Sequence, residues 1–203
     1  NPEPNALPVA DAGPDQIVEV LHDFDPNTLD ATVTLNSTNS YDTENDDITV
    51  SWMQYSGELI TLSDATLPNP SFIGTPGNYS FTMTITDAYG ASSSDDVEIT
   101  INGEPNQAPV ADAGEDQEHT VEHDGNLEDQ GLEVIVCASG SSDPEDDTLS
   151  YEWSNGETAE CFSENLIADI HTYILMVTDV YGVSDSDTMS VTINEELNQA
   201  PVA

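Results

Sequence analysis

The sequence predicts an all-β protein made of two tandem β-sandwiches. Three observations carry that expectation. The chain repeats itself, its apolar residues alternate with a period of two, and no stretch of any length carries the 3.6-residue stripe of a helix.

The repeat sets the domain plan. Pro8-Val9-Ala10-Asp11-Ala12-Gly13 returns as Pro109-Val110-Ala111-Asp112-Ala113-Gly114, a shift of 101 residues. At the same shift Asp42 meets Asp143, Glu44 meets Glu145 and Trp52 meets Trp153. Further on, Thr86-Asp87-Ala88-Tyr89-Gly90 matches Thr178-Asp179-Val180-Tyr181-Gly182 at a shift of 92. The second copy therefore lacks 101 − 92 = 9 residues between its Trp and its Thr-Asp motif. Asn106-Gln107-Ala108-Pro109-Val110-Ala111 recurs as Asn198-Gln199-Ala200-Pro201-Val202-Ala203, so the sequence stops as a third copy begins. The expected division is residues 5–103, residues 104–195, and a linker with the start of a third repeat at 196–203. Residues 102–108 form a short polar linker that leaves the two domains nearly abutting. The chain opens with Asn1-Pro2-Glu3-Pro4-Asn5 and shows no signal peptide, which reads as a mature or internal fragment of a longer array.

Alternation marks the strands. In the first copy it runs through Val33/Leu35, Ile48/Val50/Trp52, Phe81/Met83/Ile85 and Val97/Ile99/Ile101. The second copy gives Val134/Val136, Leu149/Tyr151/Trp153, Tyr173/Leu175/Val177 and Met189/Val191/Ile193. A period of two puts one face of each strand inward and the other outward. Pro76-Gly77-Asn78, Ser142-Asp143-Pro144 and Ser154-Asn155-Gly156 supply turns between the runs. About seven short strands per copy, with a Trp on the third, describe a two-sheet sandwich.

Composition excludes whole classes of function. Of 203 residues 41 are Asp or Glu and none is Lys or Arg, for a formal charge of −41. No lysine can form a Schiff base, no arginine can clamp a phosphate, and the basic surface that nucleic-acid binding needs is missing. No apolar run is long enough for a membrane-spanning helix, so no membrane insertion is expected. High charge is also a mark of disorder, but 36% apolar residues in patterned runs argue for a fold. A folded chain of this charge repels itself, and cations are the obvious remedy.

The order Pro-Val-Ala-Asp-Ala-Gly, Ser-x-Asp-x-Glu-x-Asp, Trp, Gly-x-Tyr and Thr-Asp-x-x-Gly resembles the PKD (polycystic kidney disease) repeat. That repeat is an immunoglobulin-like sandwich common in secreted and surface proteins. Trp52-Met53-Gln54-Tyr55-Ser56-Gly57 and Thr61-Leu62-Ser63-Asp64-Ala65 are similar to a subgroup with a longer middle segment. The resemblance covers both copies and implies two tandem immunoglobulin-like domains. One position departs from it. The family's Tyr is present as Tyr79, eight residues before Asp87, whereas His171 stands eight residues before Asp179. A buried His there requires a partner.

The acidic runs 42–47 and 143–147 fall between the second and third strands of their copies. A tight loop with three or four carboxylates is unfavourable without a cation, and calcium takes six to eight hard oxygen ligands. Similar positions hold calcium in PKD-like modules of secreted collagenases. The resemblance then implies a first calcium (Ca2+) site of Asn5, the Ala6 carbonyl, Asp42, Glu44 and Asp87. The second comprises Asn106, the Gln107 carbonyl, Asp143, Glu145 and Asp179. The plain alternative is a pair of solvated acidic turns. Asn198 would open a third site whose carboxylates are not in the sequence.

Other candidates weigh less. Cys137 and Cys161, the only cysteines, both lie in the second copy, which points to a disulfide in a surface domain over two separate thiols. His119 and His123 have the spacing of a helical metal site but no helical pattern around them. No Gly-x-Ser-x-Gly elbow is present. On a third strand, Trp52 and Trp153 read as core residues before sugar platforms. Asn36-Ser37-Thr38 and Asn78-Tyr79-Ser80 fit the N-glycosylation pattern.

These readings converge on a non-catalytic, extracellular or cell-surface module. It is expected to act as a calcium-stiffened acidic stalk or filament segment in adhesion or surface assembly. Its partners would be neighbouring repeats or other copies of the chain. The alternative is an accessory module of a secreted hydrolase that binds chitin, collagen or another polymer.

Overall fold

The computed structural model describes residues 5–123 and 131–196, and every regular element in them is a β-strand. The chain divides into two compact units. One comprises the residues up to Asp23 with Asn27–Pro105, the other Phe24–Pro26 with the residues from Asn106 onward. The expected start of a third copy at Asn198 lies outside the described residues.

The first unit has strands β1 (Gln16–Glu19), β2 (Ala31–Thr34), β3 (Thr49–Ser56), β4 (Ser71–Gly74), β5 (Gly77–Thr86) and β6 (Ser92–Asn102). A four-stranded sheet runs β1-β6-β5-β3, and β2 pairs with β4 in a second sheet. All pairs are antiparallel except β1 with β6, which is parallel. The alternating residues meet between the sheets. Val33, Leu35 and Phe72 come from the small sheet side; Trp52, Phe81, Met83, Ile85, Val97, Ile99 and Ile101 come from the large one. Phe72 packs its ring against both Tyr79 and Phe81, with centroids 5.5 and 5.2 Å away.

The second unit repeats this plan with β7 (Gln117–Thr120), β8 (Gly131–Cys137), β9 (Ser150–Trp153), β10 (Cys161–Ile167), β11 (Asp169–Thr178) and β12 (Ser184–Asn194). Its sheets are β7-β12-β11-β9 and β8-β10. Six strands per unit form where about seven were expected. The remaining pairing is reduced to one bridge per unit, Val9 with Tyr41 and Val110 with Ser142. It cannot extend, because the chain turns away at once through Asp11 and Gly13. The Asp11 carboxylate accepts the Gly13 N–H at 2.8 Å, Gly13 has φ +77°, and a side chain there would meet the Asn36 carbonyl at 3.1 Å.

That turn explains the repeated Pro-Val-Ala-Asp-Ala-Gly motif. Inward positions at the start of β6 are polar, not apolar. Asp95 accepts the Ala12 N–H at 2.8 Å and the Ser93 hydroxyl donates to the Pro8 carbonyl at 2.6 Å. In the second unit Asp187 accepts from Ala113 at 2.8 Å and Asp185 from Ala111 at 3.0 Å. The entering segment is thereby strapped across its own sandwich, with Ala12 and Ala113 buried beneath it.

The missing nine residues lie wholly in one loop. The Trp52 N–H donates to the Ala65 carbonyl and its indole to Leu67. The Trp153 N–H donates to Glu157 and its indole to Ala159. The first pair is 13 residues apart and the second four, so the difference of nine is taken up before the chain reaches the Trp partner. His171 is also accounted for. The Tyr79 hydroxyl donates to the Thr75 carbonyl at 2.7 Å, and His171 Nε2 lies 2.9 Å from the equivalent Ile167 carbonyl. The ring is partly exposed and keeps the tyrosine's backbone partner.

Cys137 and Cys161 are direct register partners on β8 and β10 and are joined as a disulfide. It closes a separation of 24 residues. The double substitution Cys137→Ser/Cys161→Ser should cost the second unit roughly 3 kcal/mol on chain entropy. Chemical unfolding should then show the second unit melting earlier while the first is unchanged.

Tyr173 donates to Glu164 Oε2 at 2.9 Å. Burial, then the bonded Glu164 carboxylate, push the phenol up to about 12. A raised folded value favours the neutral phenol. That stability is complete below the ordinary tyrosine range near pH 10 and is lost as pH rises through about 12. Ultraviolet titration of Glu164→Gln should show Tyr173 ionising at lower pH than in the parent, though still above an exposed tyrosine.

Candidate metal centres

Each unit gathers carboxylates where the β2–β3 or β8–β9 loop meets the end of β5 or β11. In the first unit Asp42 is 5% exposed, and its Oδ1 accepts the N–H groups of Glu44 at 2.8 Å and Asp46 at 3.2 Å. The loop folds back on itself through Asn45, which has φ +64°. Asp87 follows the last residue of β5. Its Oδ1 accepts the N–H groups of Tyr89 and Ala91, both at 2.9 Å, while Asn5 donates to Oδ2 at 2.9 Å. The Asn5 bond foremost, with burial opposing it and backbone N–H groups of Ala91, Tyr89 and Gly90 adding to it, holds the Asp87 carboxyl below its ordinary value. Asp87 therefore stays charged. The Ala6 N–H donates to Glu44 Oε2 at 3.2 Å.

The second unit repeats the pattern residue for residue. Asp143 Oδ1 accepts from Glu145 at 2.9 Å and Asp147 at 3.2 Å, across Asp146 with φ +65°. Asn106 donates to Asp179 Oδ2 at 2.9 Å, and Asp179 Oδ1 accepts the Val183 N–H at 2.8 Å. The Gln107 N–H donates to Glu145 Oε2 at 3.2 Å, and its side-chain amide adds a bond to Oε1.

Of the carboxylates expected from the sequence, Asp42 and Glu44 come close together but Asp87 does not join them, and Asp143 and Asp179 come close together but Glu145 does not; hydrogen bonds tie in the flanking residues. Asn5 bonds Asp87 and Ala6 bonds Glu44 around Asp42; Asn106 bonds Asp179 and Gln107 bonds Glu145 around Asp143. Ala6 and Gln107 were expected through their carbonyls, and the bonds seen are from their N–H groups. Two residues were missed, Asp46 and Asp147. Oxygens of Asp42, Glu44 and Asp46 fall within 4.8 Å of one another, as do those of Asp143, Asp147 and Asp179, and all three of the latter are buried. The signal was available, since Asp46 and Asp147 coincide at the shift of 101. The backbone reversal at Asn45 and Asp146 brings the fourth residue after each leading Asp back to it.

The two groups can hold a metal ion on chemical grounds. Asp42 Oδ2, Asp143 Oδ2 and Asn106 Oδ1 are buried and accept no hydrogen bond from the described residues. Two like charges 4.8 Å apart repel by roughly 3 kcal/mol at an effective dielectric constant of 20. The sequence has no Lys or Arg to offset this. Histidine does not enter either group: His119 Nε2 contacts Gln117 and His123 pairs with Glu196.

Residues 12–101 match the family model described as "K319L-like, PKD domain". These residues are a PKD domain. The match includes Asp42, Glu44, Asp46 and Asp87 and begins after Asn5 and Ala6. The second unit, with the same motifs and strand order, is a second immunoglobulin-like sandwich of this plan. The chain is similar to the "Dyslexia-associated protein KIAA0319 homolog" of Rattus norvegicus, 32% identical over 133 residues. It is also similar to "Dyslexia-associated protein KIAA0319" of Homo sapiens, 30% identical over 141 residues. Each alignment covers 63% of this chain and 12% of the relative. Among solved structures, the PKD domain from KIAA 1837 protein aligns with 52% of this chain and 96% of its own, at 23% identity and a TM-score of 0.41. Drosophila N-cadherin EC1-4 aligns with 94% of this chain and 50% of its own, at 16% identity and a TM-score of 0.40.

The left-handed residue is what shapes each loop. Asn45→Ala and Asp146→Ala should each cost about 1 kcal/mol, because a Cβ without a local polar partner is disfavoured at positive φ. Asn45→Gly and Asp146→Gly should be close to neutral. Denaturant unfolding of the four variants in chelator checks this, and equal losses for Ala and Gly would contradict it.

Proposed function

We propose that this chain is a non-catalytic, extracellular segment of a longer surface protein, a stalk or filament piece stiffened by calcium. One observation carries the proposal. Among the described residues, Asp42 Oδ2, Asp143 Oδ2 and Asn106 Oδ1 are buried beside a carboxylate cluster and accept no hydrogen bond, in a chain without Lys or Arg. The donors are oxygen only, from carboxylates and an amide, which is the ligand chemistry of calcium and not of zinc or copper. The disulfide supports an oxidising compartment.

The mechanism follows from where the ligands sit in the chain. Asn5 and Asn106 precede their sandwiches, whereas Asp42 and Asp143 belong to the β2–β3 and β8–β9 loops and Asp87 and Asp179 follow β5 and β11. An ion held by all of them fastens the entering chain to the domain it enters. Extracellular calcium modules bind with dissociation constants of roughly 10⁻⁴–10⁻³ M. At a few millimolar calcium this adds about 1–2 kcal/mol per site. Repeated along an array, such fastening restricts every linker, and neighbouring repeats or other copies of the chain are the natural partners. The polymer-binding alternative draws less support. Trp52 and Trp153 are buried in the cores, and the exposed Tyr41, Tyr55 and Tyr89 lie in a loop, on β3 and in a turn, not in one row.

Thermal unfolding in calcium, in chelator and in magnesium tests the proposal. Calcium should raise the midpoint by several degrees over both controls. Asp42→Asn and Asp143→Asn should abolish the rise in their own unit. In chelator the same variants should unfold at the parent's temperature or above it, because an unpaired buried charge has been removed. A midpoint indifferent to calcium, or variants that lose stability equally in chelator, would overturn it.

A further inference from the structure

We propose that Asn36 is an acceptor for an N-linked glycan, and that the second matching tripeptide, at Asn78, is not. Asn36-Ser37-Thr38 follows β2. Ser37 is 3% exposed and anchors the turn, with its hydroxyl donating to the Pro68 carbonyl at 3.0 Å. Asn36 and Thr38 on either side are exposed. Asn36 Oδ1 accepts both the Thr38 N–H at 2.9 Å and the Thr38 hydroxyl at 2.7 Å. This leaves the amide nitrogen as the outward, reactive end of the side chain.

The chemistry of N-glycosylation uses that arrangement. Two donors on Oδ1 draw electron density toward oxygen and make the Nδ2 protons more acidic. In the transfer, Nδ2 forms a bond to the anomeric carbon of a lipid-linked glycosyl diphosphate. The bond from that carbon to the diphosphate oxygen breaks, the electron pair leaves with the diphosphate, and one Nδ2 proton passes to a base of the transferase. The turn lies on the surface of the folded unit, with Asn36 and Thr38 exposed, so the folded chain presents it ready-made.

Asn78-Tyr79-Ser80 lacks these features. It lies within β5, where Asn78 pairs with Thr100 and its Oδ1 accepts the Thr100 hydroxyl at 3.0 Å. Ser80 is 8% exposed, and its hydroxyl is engaged by Ser56 at 2.9 Å. The two tripeptides have the same pattern, yet only the first joins its hydroxyl to its own amide.

The proposal rests on the extracellular reading, since export brings the chain to the transferase, but not on calcium. Its test is the chain secreted from a eukaryotic host, digested with a Glu-specific protease because no tryptic site exists. Peptide 20–44 carries Asn36 and peptide 59–98 carries Asn78. The expected result is glycan on most copies of the first peptide, removed by N-glycosidase, and none on the second. Asn36→Gln and Thr38→Ala should each abolish it and Asn78→Gln should not, with unchanged circular dichroism showing that the variants fold. A bare first peptide, or glycan retained in Thr38→Ala, would overturn the proposal. A calcium-dependent midpoint in the same unmodified protein would leave the proposed function standing.

Discussion

A chain with 41 carboxylates and no Lys or Arg must satisfy every buried negative charge by some other means. This single constraint organises both units. Backbone N–H groups do most of the work. Of the buried carboxylates, Asp42 and Asp143 each take two from their own loop, Asp87 takes those of Tyr89 and Ala91, and Asp179 takes that of Val183; the half-buried Asp95 and Asp187 take those of Ala12 and Ala113. Such bonds satisfy these oxygens without a cationic partner. Some buried oxygens are not reached in this way. Asp42 Oδ2, Asp143 Oδ2 and Asn106 Oδ1 are left over, at the place where the entering chain, the acidic loop and the end of the central strand converge. Among the described residues none donates to them, and a cation from solution could bind them.

Much of the fold was legible because apolar alternation is a local signal. Phe81, Met83 and Ile85 and then Val97, Ile99 and Ile101 mark β5 and β6, and all six are buried. One strand in each unit, β1 and β7, escapes that reading for a physical reason. β1 and β7 are four polar-rich residues each, Gln-Ile-Val-Glu and Gln-Glu-His-Thr, and they exist only through parallel pairing with β6 and β12 some 80 residues on. A long-range partner leaves no periodicity in so short a segment. The site shows the same division. The leading Asp, the Glu two residues on and the distant Asp follow from the repeat and the family resemblance. Asp46 and Asp147 close the same repeated motif, but that they return to the leading Asp follows from the backbone reversal at Asn45 and Asp146, which the motif does not reveal.

The two copies also show how one plan tolerates substitution. The tyrosine bond to a backbone carbonyl four residues earlier survives as a histidine bond to the equivalent carbonyl. A nine-residue difference is absorbed in a loop without disturbing either bond of the Trp, backbone or indole. The disulfide at Cys137 occupies the position of Asn36 at the shift of 101, so one copy has a covalent link where the other presents the amide of a surface turn. The carboxylate clusters, by contrast, keep their residue types and their bonds.

The central claim is that these leftover oxygens are cation ligands. Calorimetric titration of metal-stripped protein with calcium, against a magnesium background, tests it most directly. The account predicts two calcium ions per chain, one in each of Asp42→Asn and Asp143→Asn, and none in the double variant. Binding of no calcium above the magnesium background, or a stoichiometry unchanged by these substitutions, would contradict it.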